Sequence, residues 1–326
     1  MANFRKNHEK ADAKSGGGMV VKVGVFAVVI GGLLWFFGML GGGEASLSDA
    51  MDKAEEVLGQ NGNSNSNSNS NSDFDPEPDV KPNASIYPTS TTGQVISHEF
   101  YTLSYSEKHE QAEWVAYQLT RESLQAPNVD RTNNFRPDPK VSKASASGRD
   151  YIRTGYEKGH LAPAADMAFS DAAMSESFYM SNMSPQISNF NGGIWRELEE
   201  TVRDWAYRFG HVYVVTGPVL TRGIRETIGD NEVSVPDLFY KIILDYSGTE
   251  HKAIAFLIPN EVSDQPITDF AVSIDQVEEI TGIDFFPEII NTPQLEERLE
   301  RRFNPGLWDV NEKRFELRTK EWNKRK

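Results

Sequence analysis

A run of eighteen uncharged residues, Val23–Leu40, is the feature that most limits how this chain can fold. With its neighbours it occupies residues 19–43, enough to span a bilayer as a helix of about 20 residues. Basic residues exceed acidic ones before the run, whereas Glu44, Asp49 and Asp52 follow it. By the positive-inside rule, residues 1–18 are then cytoplasmic and the rest of the chain lies outside the cytoplasm. We therefore predict a single-pass membrane protein with a transmembrane helix at residues 19–43.

A cleaved signal peptide is the alternative interpretation of this run. The apolar core of a signal peptide usually has about 7–15 residues, and this run is longer. Gly42, Glu44 and Ala45 also form a poor cleavage site. An uncleaved anchor is therefore favoured.

Residues 44–92 have the composition of a flexible tether. Five Asn-Ser repeats, Asn63–Ser72, are followed by a run rich in Asp, Glu and Pro, Asp73–Pro82. Such a segment has too few apolar side chains to offset the conformational entropy lost on folding. We predict a disordered linker that holds a folded domain, residues 93–326, away from the membrane.

The composition limits the chemistry of that domain. The chain of 326 residues has no cysteine, which excludes disulfides, thiolate metal sites and cysteine nucleophiles. Its net charge of −15 argues against binding nucleic acid by overall charge. Seven basic residues nevertheless lie within Val129–Lys158, against four acidic ones. This basic segment is either a solvated loop or the place where an anionic substrate binds.

The order of predicted elements in residues 93–326 favours an α+β fold with a mixed or antiparallel sheet. Apolar residues spaced by three and four predict the clearest helix, and β-rich runs around Ser247-Gly248 predict a hairpin. The predicted strands are Glu99–Tyr105, His211–Thr216, Leu238–Tyr246 and Lys252–Pro259. The predicted helices are Ser106–Arg121, Asp171–Phe178, Ile194–Phe209, Ser273–Thr281 and one that begins at Thr292-Pro293.

Among the histidines, His160 has the surroundings most typical of catalysis, because Lys158 and the basic segment directly precede it. Asn191 and Glu199 are eight residues apart, so a regular helix would place them on one face with about 12 Å between their Cα atoms. This distance suits Asn191 as a direct Mg²⁺ ligand and Glu199 as the holder of a metal-bound water. The structural alternatives are an N-cap role for Asn191 and a solvated position for Glu199. Spacing alone favours these alternatives.

Four blocks of sequence resemble the DNA/RNA non-specific endonuclease family, which includes secreted bacterial nucleases and mitochondrial endonuclease G. In order, the blocks are Tyr156–Asp166, Phe178–Gln186, Asn191–Glu199 and Val212–Pro218. The resemblance extends over roughly residues 93–290 and implies a ββα-metal (His-Me finger) active site.

The resemblance implies roles for the central residues. His160 is expected to be the general base, Asn191 the metal ligand and Glu199 the residue that holds a metal-bound water. Arg131 is expected to act on the phosphate. The family signature Asp-Arg-Gly-His reads Glu157-Lys158-Gly159-His160 here, so Lys158 would act as a fourth catalytic residue. Lysine supplies a point charge but lacks the bidentate fork of arginine, which predicts slower cleavage or an altered preference.

Four further residues are expected in the substrate-binding part of the site. Arg136 is the second arginine of the region that matches the family's phosphate-binding arginine. Glu157 keeps the carboxylate of the signature with one more methylene. Asn182 and Gln186 are expected to support the site rather than to bind metal.

The function implied is a membrane-anchored, sequence-non-specific endonuclease that hydrolyses DNA and RNA to 5′-phosphate products. It would use one Mg²⁺ ion, with Mn²⁺ as a substitute. Its expected partners are DNA and RNA as substrates and the lipid bilayer through residues 19–43, and the sequence does not identify a protein partner. The alternatives are a catalytically weakened, membrane-tethered binding module on the same fold, and an enzyme acting on another phosphodiester or a cell-surface polymer. The basic end, Lys313–Lys326, is either a solvated helix end or a further contact for nucleic acid or anionic lipid.

Overall fold

The computed structural model describes residues 85–89, 91–248 and 250–324. The predicted cytoplasmic segment 1–18, transmembrane helix 19–43 and most of the predicted linker 44–92 lie outside these residues. Within the described ranges, no helix combines the length and the apolar character needed to cross a membrane.

The first strand begins at Gln94, next to the predicted start of the folded domain. The strands are β1 (Gln94–Ser97), β2 (Thr102–Ser106), β3 (Gln111–Thr120), β4 (Tyr156–His160), β5 (Met183–Ile187), β6 (His211–Pro218), β7 (Thr227–Ile228), β8 (Val233–Ser234), β9 (Leu238–Asp245), β10 (Lys252–Pro259) and β11 (Ala271–Val272). The α-helices are α1 (Arg121–Gln125), α2 (Asp171–Glu176), α3 (Arg196–Phe209), α4 (Ile274–Thr281), α5 (Pro293–Leu295) and α6 (Glu312–Lys320). Two π-type turns, Phe190–Trp195 and Glu296–Arg301, and 3₁₀ turns at Gly148–Tyr151, Met180–Asn182, Ile267–Phe270, Pro305–Leu307 and Trp322–Lys324 complete the elements.

Seven strands form one antiparallel sheet in the order β1-β2-β3-β6-β9-β10-β11. Val115 of β3 pairs with Thr216 of β6, and Tyr213 of β6 pairs with Leu244 of β9. Two smaller antiparallel pairs, β4-β5 and β7-β8, stand apart from this sheet. The predicted α+β fold with an antiparallel sheet is thereby confirmed.

Helices cover both faces of the large sheet. On one face, Val115 and Tyr117 of β3 belong to the same buried cluster as Leu198, Val202 and Trp205 of α3. On the other face, the intervening Trp114 and Ala116 belong to a cluster that includes Val277 of α4 and Leu299. Successive side chains of a strand point to opposite faces, and both faces of β3 are buried. Strand β3 therefore has apolar residues at consecutive positions.

The predicted helix over Ser106–Arg121 is wrong, since this segment contains strand β3. A strand buried on both faces lacks the apolar–polar alternation by which a strand is usually identified. The spacing of Trp114, Tyr117 and Leu119 therefore resembled a helical stripe. The predicted strand at Glu99–Tyr105 overlaps β2, which begins at Thr102.

The elements with strong local signals are confirmed. Helix α4 has a capping box at Ser273 and ends at Gly282 in the left-handed conformation (φ 71°). Helix α3, strand β6 and the β9–β10 hairpin lie where the sequence predicted them. The short helix α2 is capped by the hydroxyl of Ser170, which accepts from the backbone N–H of Ala173.

Candidate active site

The hairpin of β4 and β5 carries the signature residues, and the turn and helix that contain Asn191 and Glu199 follow it in the chain. Glu157 pairs with Gln186 across the hairpin, and His160 pairs with Met183. Gly159 lies against the buried side chain of Gln186, where a Cβ would come within 2.0 Å of Oε1. The hairpin therefore requires glycine beside the histidine.

The His160 side chain lies in an aromatic frame. It is 9% exposed, and its ring meets Phe178 edge-on with 5.0 Å between centroids and Phe135 at 5.9 Å. The Nε2 atom is buried and has no hydrogen-bond partner among the described residues. Burial, and then the positive charge of Arg131, lower the pKa of His160 to about 3. The imidazole is therefore neutral at pH 7.

Two cations flank this frame. The Arg131 guanidinium lies 4.9 Å from the centroid of Phe178, and its Nε donates to Asn133 Oδ1 at 2.8 Å. The Lys158 ammonium lies 4.9 Å from the centroid of Phe135. Neither cation forms an ion pair within the part of the chain that the structure describes. Two cations without carboxylate partners beside a neutral imidazole are suited to binding an anion.

Arg136 is engaged elsewhere, although it was predicted in the substrate-binding part. Its guanidinium donates to Ser175 O at 2.8 Å, Ser175 Oγ at 3.2 Å and Asn134 O at 3.2 Å. It also stacks on Tyr179, 3.9 Å from the ring centroid. These contacts fix the basic segment to α2, which leaves Arg131 as the better candidate for a phosphate contact.

Asn182 and Gln186 are fully buried at the hairpin, so neither side chain is exposed to a substrate. Asn182 Oδ1 accepts from Ala162 N at 2.8 Å, and its Nδ2 donates to the carbonyls of Ala162 and Ser177. These bonds hold the loop that follows His160. The Gln186 amide is buried against Gly159 without a hydrogen-bond partner among the described residues.

Asn191 lies in a π-type turn rather than on a regular helix. Gly193 breaks this turn with non-helical backbone angles (φ −107°, ψ −111°), and α3 begins only at Arg196. The expected regular spacing from Asn191 to Glu199 therefore does not hold. Asn191 is not the N-cap of α3 either, because that helix begins at Arg196, after Trp195. Instead, the Asn191 Nδ2 donates to Glu157 Oε2 at 2.7 Å. This bond joins Asn191 to the strand that carries His160 and leaves the amide oxygen without a hydrogen bond from any described residue.

Glu199 lies near a buried group of charges. Burial raises the pKa of its carboxyl to about 7, against the opposing positive charges of Lys241 and Arg203. Arg203 donates to Asp166 Oδ1 at 2.8 Å, and Tyr117 donates to Asp166 Oδ2 at 2.7 Å. Arg131 lies between this group and the histidine. Burial lowers the pKa of its guanidinium against the opposing charge of Glu199, and the Arg131 charge in turn lowers the pKa of His160.

The sequence reasoning missed Lys241, Arg203 and Asp166. Lys241 is fully buried, and its ammonium donates to Thr216 Oγ1 at 2.6 Å and lies 4.8 Å from the centroid of Trp195. A lysine within the apolar strand β9 was the available signal, because charged residues are rarely fully buried unless paired.

Comparisons with known proteins match this chain to nucleases. Residues 54–290 match the family model of the DNA/RNA non-specific endonucleases. The chain is 35% identical over 211 residues to human nuclease EXOG, mitochondrial, covering 60% of this chain and 57% of that protein. It is 36% identical over 214 residues to nuclease C1 of Cunninghamella echinulata var. echinulata, covering 61% and 85%. The match thus spans little more than half of the human protein.

A solved nuclease structure also matches this chain. The structure of the EndoG/EndoGI complex matches with a TM-score of 0.58 and 34% identity, over 62% of this chain and 89% of that chain. The matched part of the sequence carries the hairpin, the π-type turn at Asn191 and helix α3.

Proposed function

Because the chain belongs to the DNA/RNA non-specific endonuclease family, we propose that it hydrolyses internal phosphodiester bonds of DNA and RNA independently of sequence, leaving 5′-phosphate ends. The observation that carries this proposal is the neutral His160 imidazole beside two cations that lack carboxylate partners. A phosphodiester is an anion, so this arrangement attracts the substrate and offers a proton acceptor at the same place.

His160 acts as the general base. The buried Nε2 of its imidazole forms no hydrogen bond with a described residue, so no side chain of the described part competes for this nitrogen. In the proposed reaction the imidazole takes a proton from the attacking water. The aromatic frame of Phe135 and Phe178 fixes the ring and keeps it unprotonated. The bonds of Asn182 hold the loop after His160 and thereby fix where the strand ends.

Arg131 and Lys158 bind the phosphate. Both cations are held over aromatic rings at 4.9 Å, which limits their movement without neutralising their charge. Positive charge fixed in this way stabilises the additional negative charge of the transition state. The Lys158 ammonium provides this charge with less directional hydrogen bonding than an arginine would.

The donor set at Asn191 fits a hard divalent cation such as Mg²⁺, with Mn²⁺ as a substitute. Glu157 takes up the NH₂ group of Asn191, so the amide oxygen is the atom available to a metal. Glu199 is the residue that we propose accepts hydrogen bonds from the water shell of the ion. A bound divalent cation supplies Lewis-acid stabilisation of charge on the phosphate and the leaving oxygen.

Digestion of plasmid DNA and of RNA by the full chain, with Mg²⁺ and with EDTA, tests the proposal. We expect cleavage of both polymers with Mg²⁺ only, and a loss of about 10²–10⁴-fold in His160→Ala. His211→Ala, at the start of β6, is the matched control and should keep full activity. Binding of DNA without cleavage would instead indicate the catalytically weakened binding module, and cleavage by His160→Ala would overturn the assignment of the base.

We also propose that residues 19–43 anchor the chain and that residues 44–92 act as the tether of domain 93–326, on the strength of the sequence. The catalytic domain would then lie outside the cytoplasm. The relative human nuclease EXOG is named as mitochondrial, so an anchor in this chain does not by itself identify the membrane that holds it. Alkaline carbonate extraction of membranes tests the anchor, because an integral membrane protein stays in the pellet and a peripheral one is released.

A further inference from the structure

The segment just before strand β4 presents an apolar side chain to solvent between two arginines. Ile152, which follows the 3₁₀ turn Gly148–Tyr151, is 65% exposed, the highest value among the large apolar side chains that the structure describes. Arg149 and Arg153 lie on either side of it in the chain and are exposed as well. Neither guanidinium forms a hydrogen bond or an ion pair with another described residue. The segment therefore combines an apolar contact with two free positive charges.

Buried contacts hold this segment in a fixed shape. Ser147 and Asp150 form a capping box at the start of the 3₁₀ turn. The Tyr151 side chain is buried in a cluster that includes Val233. The Tyr151 carbonyl accepts from Thr154 Oγ1 at 3.1 Å, which closes the segment on its other side. The isoleucine that follows Tyr151 is thus held out from the surface at a defined place.

The charge of the segment suits a polyanion. The acid between the two arginines, Asp150, is buried, and its carboxylate accepts from Ser147 and Asn231 rather than from either guanidinium. Asp230 and Glu232, which flank Asn231, form no ion pair with the arginines among the described residues. Two uncompensated cations here contrast with the net charge of −15 of the whole chain.

The segment lies beside the proposed phosphate-binding cations. The Lys158 ammonium lies 5.7 Å from the centroid of the Tyr151 ring and 4.9 Å from that of Phe135. The Phe135 ring in turn lies 5.9 Å from the ring of His160. A strand of DNA has one phosphate per about 3.4 Å of helix axis, so phosphates next to the scissile one come within reach of the segment.

We propose that Arg149, Ile152 and Arg153 bind the minor groove of duplex DNA next to the scissile bond, an inference that rests on the proposed nuclease function. The arginines contact phosphates, and Ile152 packs against the sugar and base edges between them. Isoleucine is one of the apolar residues that proteins insert into the minor groove, whereas proteins that hold single strands stack the bases on aromatic rings. An apolar contact reads no hydrogen-bond pattern, so cleavage stays independent of sequence.

Fluorescence anisotropy of a short labelled DNA duplex, and of one of its strands, tests this surface with the metal-free full chain in EDTA. We expect Arg149→Gln and Arg153→Gln each to weaken duplex binding about three- to tenfold and to reduce the slope of log Kd against log salt by about 0.9. Ile152→Ser should weaken duplex binding about three- to tenfold without changing this slope, and should change single-strand binding less than about twofold. Val95→Ser, 53% exposed on the edge strand β1, is the matched control and should bind as the wild type does.

Two results would overturn the proposal. One is a duplex affinity that is the same in the wild type and in all three variants, or too weak to measure in the wild type. The other is an equal loss on duplex and single strand in Ile152→Ser, which would indicate a contact to single-stranded polymer instead of a groove. These measurements involve no cleavage, so they separate the surface from the chemistry. A chain that shows the expected binding but cuts no DNA with Mg²⁺ would overturn the proposed function and leave the surface in place.

Discussion

Arg318 is the contact that fastens helix α6 to the domain, and its replacement by methionine should destabilise the whole fold. The side chain is fully buried and donates to the Glu197 carboxylate of α3 and to the carbonyls of Ser263 and Gln265. Arg318→Met removes these donors and leaves Glu197 as a buried carboxylate without its cation. Breaking a buried pair from one side costs about 3–5 kcal/mol, which corresponds to about 6–20 °C in Tm for a domain of this size.

Urea and thermal unfolding of the two chains, followed by circular dichroism, measure this loss. Arg314→Met on the same helix is the matched control, because the partners of Arg314 are the more exposed Glu200 and Asp204. Its loss should be about 1 kcal/mol or less. A loss in Arg318→Met no larger than in Arg314→Met would refute the reasoning.

A double variant separates the ion pair from the carbonyl contacts. Adding Glu197→Leu to Arg318→Met removes the uncompensated carboxylate and should recover about half of the lost free energy of unfolding. The Ser263 and Gln265 carbonyls remain without their donor, so recovery should be incomplete. If the losses in free energy of unfolding of Arg318→Met and Glu197→Leu simply added up in the double variant, Arg318 and Glu197 would not depend on each other.

Three further results are expected. Gly159→Ala should cost about 1–3 kcal/mol in urea unfolding, because its Cβ would collide with Gln186, whereas Gly148→Ala, with no atom within 4 Å, should cost about 0.5 kcal/mol or less. Lys158→Arg should raise kcat/KM on plasmid DNA about three- to tenfold, and an unchanged or lower value would count against the phosphate role. The unfolded chain protonates His160 near pH 6.5, but the folded chain does so only near pH 3. The free energy of unfolding should therefore decrease as the pH is lowered from about 6.5 to about 3, and it should decrease less steeply in His160→Leu.

The elements that the sequence predicted correctly are those whose signals are local. The capping box at Ser273 and the left-handed Gly282 determine α4 by themselves, and the 3–4 spacing of apolar residues determines α3. Strand β3 was mistaken for a helix because the residues that pack on its two faces come from distant parts of the chain. Helix α6 was interpreted as a solvated helix end or as a contact for nucleic acid or anionic lipid for the same reason, since the partners of Arg318 lie 53 to 121 residues away.

The candidate site likewise contains residues that the sequence could identify and residues that it could not. The sequence could identify the motif around His160, and Asn191 and Glu199 after it, as candidate site residues. Members of a family keep the residue types of their motifs in the same order along the chain. The motif could not indicate that Arg136 is bound to Ser175 while Arg131 keeps a free charge, since both lie in the same basic segment. Nor could it find Lys241, whose neighbours Thr216 and Trp195 belong to other elements.

The C-terminal segment beyond residue 290 bears directly on the turn that carries Asn191. Asn189, two residues before it, donates to the carbonyl of Asn323, and a Cβ at Gly193, two residues after it, would lie 2.8 Å from Asn323 Oδ1. The Arg196 guanidinium, at the start of α3, stacks on Trp322 at 4.0 Å. Gly193 breaks the regular hydrogen bonding of the turn, so contacts from outside the turn must fix its shape. Residues outside the family match therefore help to set the position of the proposed metal ligand, which no comparison limited to residues 54–290 would reveal.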